Sequence, residues 1–408
     1  MPDFSKALRS LERGAKPTTK SWQSALADYV IAGGNPRSIL PPGEIQSNAL
    51  GSHYYINKTY SYDHHHGKVL LNRLSPVDLQ SLISVMREDA SVPERDRILF
   101  LDTETTGVQG GAGICPFLVG LGYFAGEEFQ MVQFFIRDFD EEPSMLLALG
   151  DLLARFDLVI TYNGTAFDIP LLETRFTLAR LDSPFTKMAH YDLLFTARKL
   201  WRNGHGSCRL AALERELLSF MRGPDIPGAM IPRAYFDYLQ QRPNATIRSI
   251  FTHNVDDVLS LAALTVHACD RVVFEPALLD DPLDVYSLAR IFENSENWRR
   301  SIQLYEKALA AGIIEPARRN VLENLAVLYR RNGQQERSQE ICRELMGSEY
   351  FSLAGYEGAA IYAERVERDY EAALSIVRDA LSRAESPRAK NVLQSRWDRL
   401  QQKILRFT

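Results

Sequence analysis

Apolar and polar positions follow three different regimes along the chain. From Met1 to about Val92 no one period holds. PPG at Pro41–Gly43 punctuates this region, HYYINKTYSY (His53–Tyr62) alternates like a strand, and SPVDLQSLISVM from Ser75 has helical spacing. An SP start with Asp78 in the first turn suits a helix N-terminus. From Arg97 the pattern sharpens. ILFLD reads as a short buried strand, and FLVGLGYF (Phe117–Phe124) and MVQFFI (Met131–Ile136) read as two more, separated by AGEEFQ with its turn-forming Gly126. Strands with such short connections predict an antiparallel meander. PSMLLALGDLLARF then has helical spacing, with Pro143 near its first turn. LVITYN (Leu158–Asn163) is a further strand, and IPLLETRFTLARL is helical again. Hairpin-paired strands followed by strands joined through helices predict a mixed α/β sheet, continuing through helices to about Arg271.

The third regime starts near Asp284, is nearly all helical, and repeats. DVYSLARIFENSENWRRSIQLYEKAL, NVLENLAVLYRRNGQQERSQEICREL and YEGAAIYAERVERDYEAALSIVRDAL share one layout. Each has a small residue inside its first helix (Ala289, Ala326, Ala360) and another near the start of its second (Ser301, Ser338, Ala373). Antiparallel helices approach closely only where small side chains meet, and each pair leaves an apolar face for its neighbour to cover. The period of about 34–37 residues matches the tetratricopeptide unit; the alternative is an ordinary helical bundle. The expected organisation is an accessory region over 1–95 with no assigned function, an α/β domain over 96–275, and helical repeats over 283–408.

Composition narrows the picture without pointing to a partner. The 408 residues are 45% hydrophobic and 24% charged, which suits a globular chain with an ordinary core. A net charge of −5 argues against wrapping a duplex, which usually needs a strongly basic surface. It leaves room for an enzyme that grips a few nucleotides at an acidic site. The four cysteines (Cys115, Cys208, Cys269, Cys342) show no CxxC spacing, so a structural zinc site is not expected and a reducing compartment is. The N-terminus has no apolar signal-peptide core, and no apolar run reaches membrane-spanning length. A cytoplasmic protein is expected.

Three segments carry candidate chemistry. In LDTETTG (Leu101–Gly107) an apolar strand presents Asp102 and Glu104, which alternation puts on one face. Two neighbouring carboxylates repel, and burying that repulsion is costly unless a cation neutralises it. Oxygen ligands suit Mg²⁺ or Mn²⁺. In TYNGTAFDIPLL (Thr161–Leu172), Asn163 and Gly164 form a turn after a strand, and Asp168 opens a helix whose dipole favours its ionised form. Phe167 beside it either anchors the helix or stacks on a base. In FTHNVDDVLSLAAL (Phe251–Leu264), His253 and Asp257 stand four apart and share a helix face. An imidazole there has an ordinary pKa suited to general-base work.

This order of motifs resembles the DnaQ-like, or DEDD, 3′–5′ exonuclease superfamily. Within it, the chain is most similar to the YprB-type ribonuclease H-like exonucleases, some of which carry tetratricopeptide tails. The resemblance spans about Ile98–Arg271. YDLLFTARKLW, GSCRLAALE (Gly206–Glu214) and DIPG also suit that family, and YNGTAFDIPLL is similar to an exonuclease motif of B-type DNA polymerases. It implies a ribonuclease H-like fold and two divalent cations, Mg²⁺ or Mn²⁺. Asp102 would bridge them, Glu104 and Asp257 would complete one shell, and Asp168 would serve the other. His253 would sit where the family's general base belongs. One departure stands: the family's His subclass usually has four residues between His and Asp, whereas this chain has three. Thr105, Asn163 and Phe167 are the expected substrate contacts. The implied reaction releases nucleoside 5′-monophosphates from a 3′ end, most readily a single-stranded one, in DNA or RNA. A protein partner is expected on the repeats.

Two alternatives stay open: an endonuclease with the same fold and metals, or a repeat scaffold with a nuclease-like domain that binds nucleic acid. Asp192, in HYD, is either a supporting acidic residue or a helix N-cap. The HHH run at His64–His66 is expected in an exposed loop, since adjacent residues do not face one way. GVQGGAGI lacks the P-loop pattern and reads as a turn. Arg198, Lys199, Arg202 and Arg209 form a local basic run that either meets phosphates or is a solvated helix face.

Overall fold

The computed structural model describes residues 40–86, 91–107, 113–242, 246–273 and 281–407. The N-terminal segment read above as lacking a signal peptide, and residues 108–112 of the glycine-rich turn, lie outside the described residues. The chain divides into two compact units. The first takes in the described residues up to Asn72 with Pro93–Asp192 and Phe220–Ala263; the second takes in Arg73–Val92, Leu193–Ser219 and the chain from Leu264 onward.

The first unit is built on a mixed sheet. Its strands are β1 (Glu44–Asn48), β2 (Gly51–Tyr60), β5 (Ile98–Thr105), β6 (Pro116–Ala125), β7 (Glu128–Phe135), β8 (Leu158–Thr161) and β9 (Ala189–Asp192); β3 (His65–His66) and β4 (Val69–Leu70) form a separate small hairpin. The order across the sheet is β1-β2-β7-β6-β5-β8-β9. The meander β5-β6-β7 is antiparallel, while β8 and β9 join in parallel. Phe117–Phe124 is buried at every position, as expected of a strand covered on both faces. The helices Glu142–Leu153 and Asp168–Leu178 contribute Met145, Leu149, Leu172 and Phe176 to one large core with Phe117, Phe134, Phe135 and Tyr235.

Two features of this sheet go beyond the sequence reading. The N-terminal region, given no role there, supplies β1 and β2, and β2 pairs with β7 from Tyr54↔Phe135 to Tyr60↔Phe129. AHYD forms strand β9, with Thr161 opposite Asp192. The expectation that His64–His66 lies in an exposed loop is corrected. Gly67, at φ 59°, turns the chain back on itself, and His66 is buried against the Phe220 ring with Nε2 2.7 Å from Ser260 Oγ. Only His65 of the three is exposed.

The second unit is helical. Pro76–Met86 and Leu193–His205 belong to it, as do the helix pairs Pro282–Asn294 with Trp298–Ala310, Ala317–Arg331 with Gln335–Met346, and Leu353–Tyr362 with Tyr370–Arg383; Pro387–Phe407 follows. The six small residues picked out by the repeat are all buried. Two of them bind across their helix pair: Ser301 Oγ donates to the Ala289 carbonyl at 3.0 Å, and Ser338 Oγ to that of Ala326 at 2.7 Å. A longer side chain at either serine would push the helices apart.

Candidate functional site

Strand β5 pairs with β8 over Ile98–Phe100 and with β6 along its length, so its polar end, past the last pairing with β8, is held by β6 alone. Asp102 lies opposite Gly120 and Glu104 opposite Leu118. Burial raises the Asp102 carboxyl well above the usual carboxylate range, and the charges of Asp257 and Asp168 raise it further. Glu104 is raised likewise, by burial and then by Asp102, Asp257 and Asp168. Four acids from three separate segments therefore oppose one another's ionisation. Glu104 is only 8% exposed, and its Oε1 is buried with no hydrogen-bond partner among the described residues.

Asp168 opens the helix Asp168–Leu178 and is also buried. Burial pushes its carboxyl up to about 6 despite a 2.5 Å hydrogen bond donated by Thr103 Oγ1. The turn before it is firmly made. Asn163 sits in the left-handed region at φ 66°, a conformation asparagine tolerates better than most residues. Gly164 has no room for a side chain, because a Cβ would lie 2.3 Å from Thr161 Oγ1. Asp192, at the end of β9, accepts hydrogen bonds from the backbone N–H of Asn163 at 2.7 Å and of Thr165 at 3.1 Å. Its carboxylate thus clamps the turn that carries Asp168, as the supporting reading of Asp192 expects, while Asp192 also directly precedes the helix Leu193–His205.

The helix Ile247–Val273 brings the remaining groups. Asn254 is fully buried; its Nδ2 donates to Asp102 Oδ2 at 2.9 Å, and its Oδ1 accepts from Gln133 Nε2 at 2.9 Å. This close seat depends on Gly120 of β6, where an added Cβ would stand 2.1 Å from Asn254 Oδ1. Next to Asn254, His253 Nε2 lies 3.5 Å from Oδ2 of Asp257, one turn further along the helix. His253 Nδ1 is 2.8 Å from Asp225 Oδ1 and 3.0 Å from Arg222 Nη1. A single nitrogen cannot donate to the first and accept from the second at once. The carboxylate is the stronger partner for an N–H, which places a proton on Nδ1 toward Asp225. Arg222 also hydrogen-bonds Asp257 through Nη2.

Glu104, His253 and Asp257 each offer a ligand atom, and these atoms all lie within 4.8 Å of one another. A cleft of about 510 Å³ is lined by Asp102, Thr105, Asn163, Phe167 and Asp168 among others. Phe167 is 52% exposed in it, and Thr105 Oγ1 donates to the Gly107 carbonyl at 2.7 Å. The carboxylates fit a hard divalent cation: their mutual repulsion is buried, and one of their oxygens, Glu104 Oε1, lacks a hydrogen-bond partner among the described residues.

Residues 99–269, which carry all of these groups, match the RNase_H superfamily. Over these residues the fold is ribonuclease H-like, a mixed sheet with helices. Residues 285–316 match the tetratricopeptide repeat, which favours repeats over an ordinary bundle in the helical region. The chain is 27% identical over 333 residues to the uncharacterized protein YprB of Bacillus subtilis (strain 168), a match covering 80% of this chain and 79% of that protein. Among solved structures, it is similar to the family B DNA polymerase of the hyperthermophilic archaeon Pyrobaculum calidifontis at 16% identity and a TM-score of 0.33, over 51% of this chain and 30% of the polymerase chain. No described helix is long and apolar enough to cross a membrane.

The structure thus brings Glu104, His253 and Asp257 into one ligand-sized cluster and sets Asp102 and Asp168 on the wall of one cleft with Thr105, Asn163 and Phe167, the three expected to touch substrate. Sequence reasoning missed Thr103, Asn254, Arg222 and Asp225. Thr103 and Asn254 stand inside segments already singled out, next to Asp102 and His253. Arg222 and Asp225 had no such signal, since nothing in RGPD marks it as approaching a helix that begins more than twenty residues later.

Proposed function

We propose that the chain is a metal-dependent 3′–5′ exonuclease that hydrolyses phosphodiester bonds of DNA or RNA and releases nucleoside 5′-monophosphates. The observation that carries this reading is the set of four acidic side chains, Asp102, Glu104, Asp168 and Asp257, each buried or half-buried at one end of the sheet where their charges oppose one another. Asp102, Glu104 and Asp257 would hold one divalent cation and Asp168 a second, with Asp102 shared. When bound, such cations would polarise the scissile phosphate, lower the pKa of a water molecule and stabilise the departing 3′ oxygen.

The chain's own residues supply the rest. His253 takes a proton at Nε2, and Asp225 at Nδ1 stabilises the imidazolium that results. Asn254 fixes the rotamer of Asp102, and Asp192 fixes the turn that delivers Asp168. The exposed Phe167 ring offers a face on which a terminal base stacks. Thr105 and Asn163 line the same cleft and orient the end of the strand. A cleft of this size beside the acids suits one or two nucleotides of a frayed or single-stranded 3′ end.

The deciding experiment is a degradation time course on end-labelled DNA and RNA, single and double stranded, with Mg²⁺ or Mn²⁺ varied and a circular single strand alongside. Mononucleotides released from the 3′ end, with the circle intact, are expected. Cleavage of the circle would assign an endonuclease instead. Asp102→Ala and Asp168→Asn are expected to abolish hydrolysis, and full activity in either purified variant would refute their metal role.

A further inference from the structure

The helix Leu193–His205 buries Leu194, Ala197, Leu200 and Trp201 and leaves Arg198, Lys199 and Arg202 exposed. Packed against it within the second unit is the helix Pro282–Asn294, whose Arg290 is also exposed. These helices border a cleft of about 310 Å³ lined by all four cations, with Met86 and Ile291 as apolar walls and no aspartate or glutamate among the described lining residues. The chain carries a net charge of −5, so four cations gathered without a lining acid are a local reversal of its overall sign. Like charges held together repel and raise the local concentration of anions.

The kind of anion follows from how these side chains are held. Lys199 Nζ donates to the Met86 carbonyl at 2.8 Å, and Asn203 Nδ2 to Ser287 Oγ at 2.9 Å. Arg198, Arg202 and Arg290 have no ion pair or hydrogen bond among the described residues. A site for one small anion needs donors fixed around a point. Long, weakly hydrated guanidinium groups, two of them one turn apart on a helix and a third on its neighbour, suit phosphates spaced along a polymer. The apolar walls give a sugar or base a surface beside them.

We propose that this cleft is a second nucleic-acid contact, gripping the phosphodiester backbone of a strand by charge. The inference rests on the nucleic-acid substrate proposed above and adds to it a binding site in the second unit.

The test is fluorescence anisotropy of labelled oligothymidylate and oligouridylate with the full chain in EDTA, across a series of salt concentrations. The variant Arg198→Glu, Arg202→Glu, Arg290→Glu is expected to bind about tenfold more weakly or worse, with the salt slope reduced by about 0.7 for each phosphate that the variant no longer neutralises. The triple lysine variant at the same positions keeps the charges and is expected to retain binding, which separates loss of charge from loss of fold. Unchanged affinity and slope in the glutamate variant, or no strand binding by the wild-type chain, would overturn the proposal. So would complete displacement of the strand by inorganic phosphate at constant ionic strength, which would make this a small-anion site. Because the assay reads binding without hydrolysis, a chain that binds strands here but never degrades them would retain this site and lose the exonuclease reading.

Discussion

Asn254 Nδ2 donates to Asp102 Oδ2 at 2.9 Å, tying the long helix Ile247–Val273 to the strand that carries two of the four acids. Asn254 is in turn held by Gln133, so the amide has little freedom to turn away. Asn254→Ala is expected to lower activity and Mn²⁺ affinity together by about 10–100-fold, the usual scale for residues that orient metal ligands. Titration calorimetry beside a turnover assay checks it. A drop in turnover with unchanged Mn²⁺ affinity would limit Asn254 to packing.

Glu104 is buried with one oxygen unpartnered and with like charges around it. Glu104→Gln removes an ionisation the fold opposes. The metal-free variant is expected to melt higher, by about 2–4 °C for each kcal/mol regained. It is also expected to lose hydrolysis and most of the thermal shift on adding Mn²⁺. A lower melting temperature in EDTA would contradict the repulsion described for this cluster.

Asp168 gives a signed pH dependence. Its folded pKa of about 6 lies above the unfolded value of about 3.9. Between these values the folded chain keeps a proton that the unfolded chain has released, so stability is present below the window and is lost as pH rises through it. The loss is up to about 1.4 kcal/mol per pH unit. Urea melts in EDTA should therefore show wild type losing ground to Asp168→Asn as pH climbs from about 4 to about 6. Parallel curves would remove Asp168 from the buried cluster. Mn²⁺ competes with that proton, so its stabilising effect is expected to be larger at neutral pH than in acid.

Asp192→Ala takes the acceptor from two backbone N–H groups of the Asn163–Thr165 turn. The expected cost is about 1–3 kcal/mol in urea denaturation, with hydrolysis falling more than stability alone explains because Asp168 loses its aim. Normal turnover at a temperature where the variant is fully folded would show that the turn holds without the clamp.

Ser338→Val tests the repeats. It deletes the bond to the Ala326 carbonyl and adds bulk where two helices meet in the interior. About 2 kcal/mol of destabilisation is expected, as for overpacking combined with removal of a hydrogen bond. A melt followed by circular dichroism reads it; no loss would mean the pair has room to spare.

The sheet and the site were legible in the sequence to different depths. The meander, the helix after Asp168 and the repeat units follow from periodicities that burial imposes, and all appear where the pattern places them. AHYD is too short and too polar to announce β9, because its strand character comes from parallel pairing with β8 at the edge of the sheet. His66 was misplaced because its burial depends on Ser260 and Phe220, some two hundred and one hundred and fifty residues away. In the site, the metal-type acids stood out because carboxylates at the end of an apolar strand are unusual. Arg222 and Asp225 did not, because their role depends wholly on what they approach in three dimensions.

The glycine opposite Asp102 carries no chemistry, yet the one hydrogen it presents sets the depth to which a whole helix sinks. A methyl group there would lift Asn254, His253 and Asp257 as a body, leaving every reactive side chain intact but misaligned. In a screen for lost activity, damage at Gly120 would therefore be indistinguishable from damage to the acids themselves. The tolerance of the centre is set by a residue that never meets the substrate.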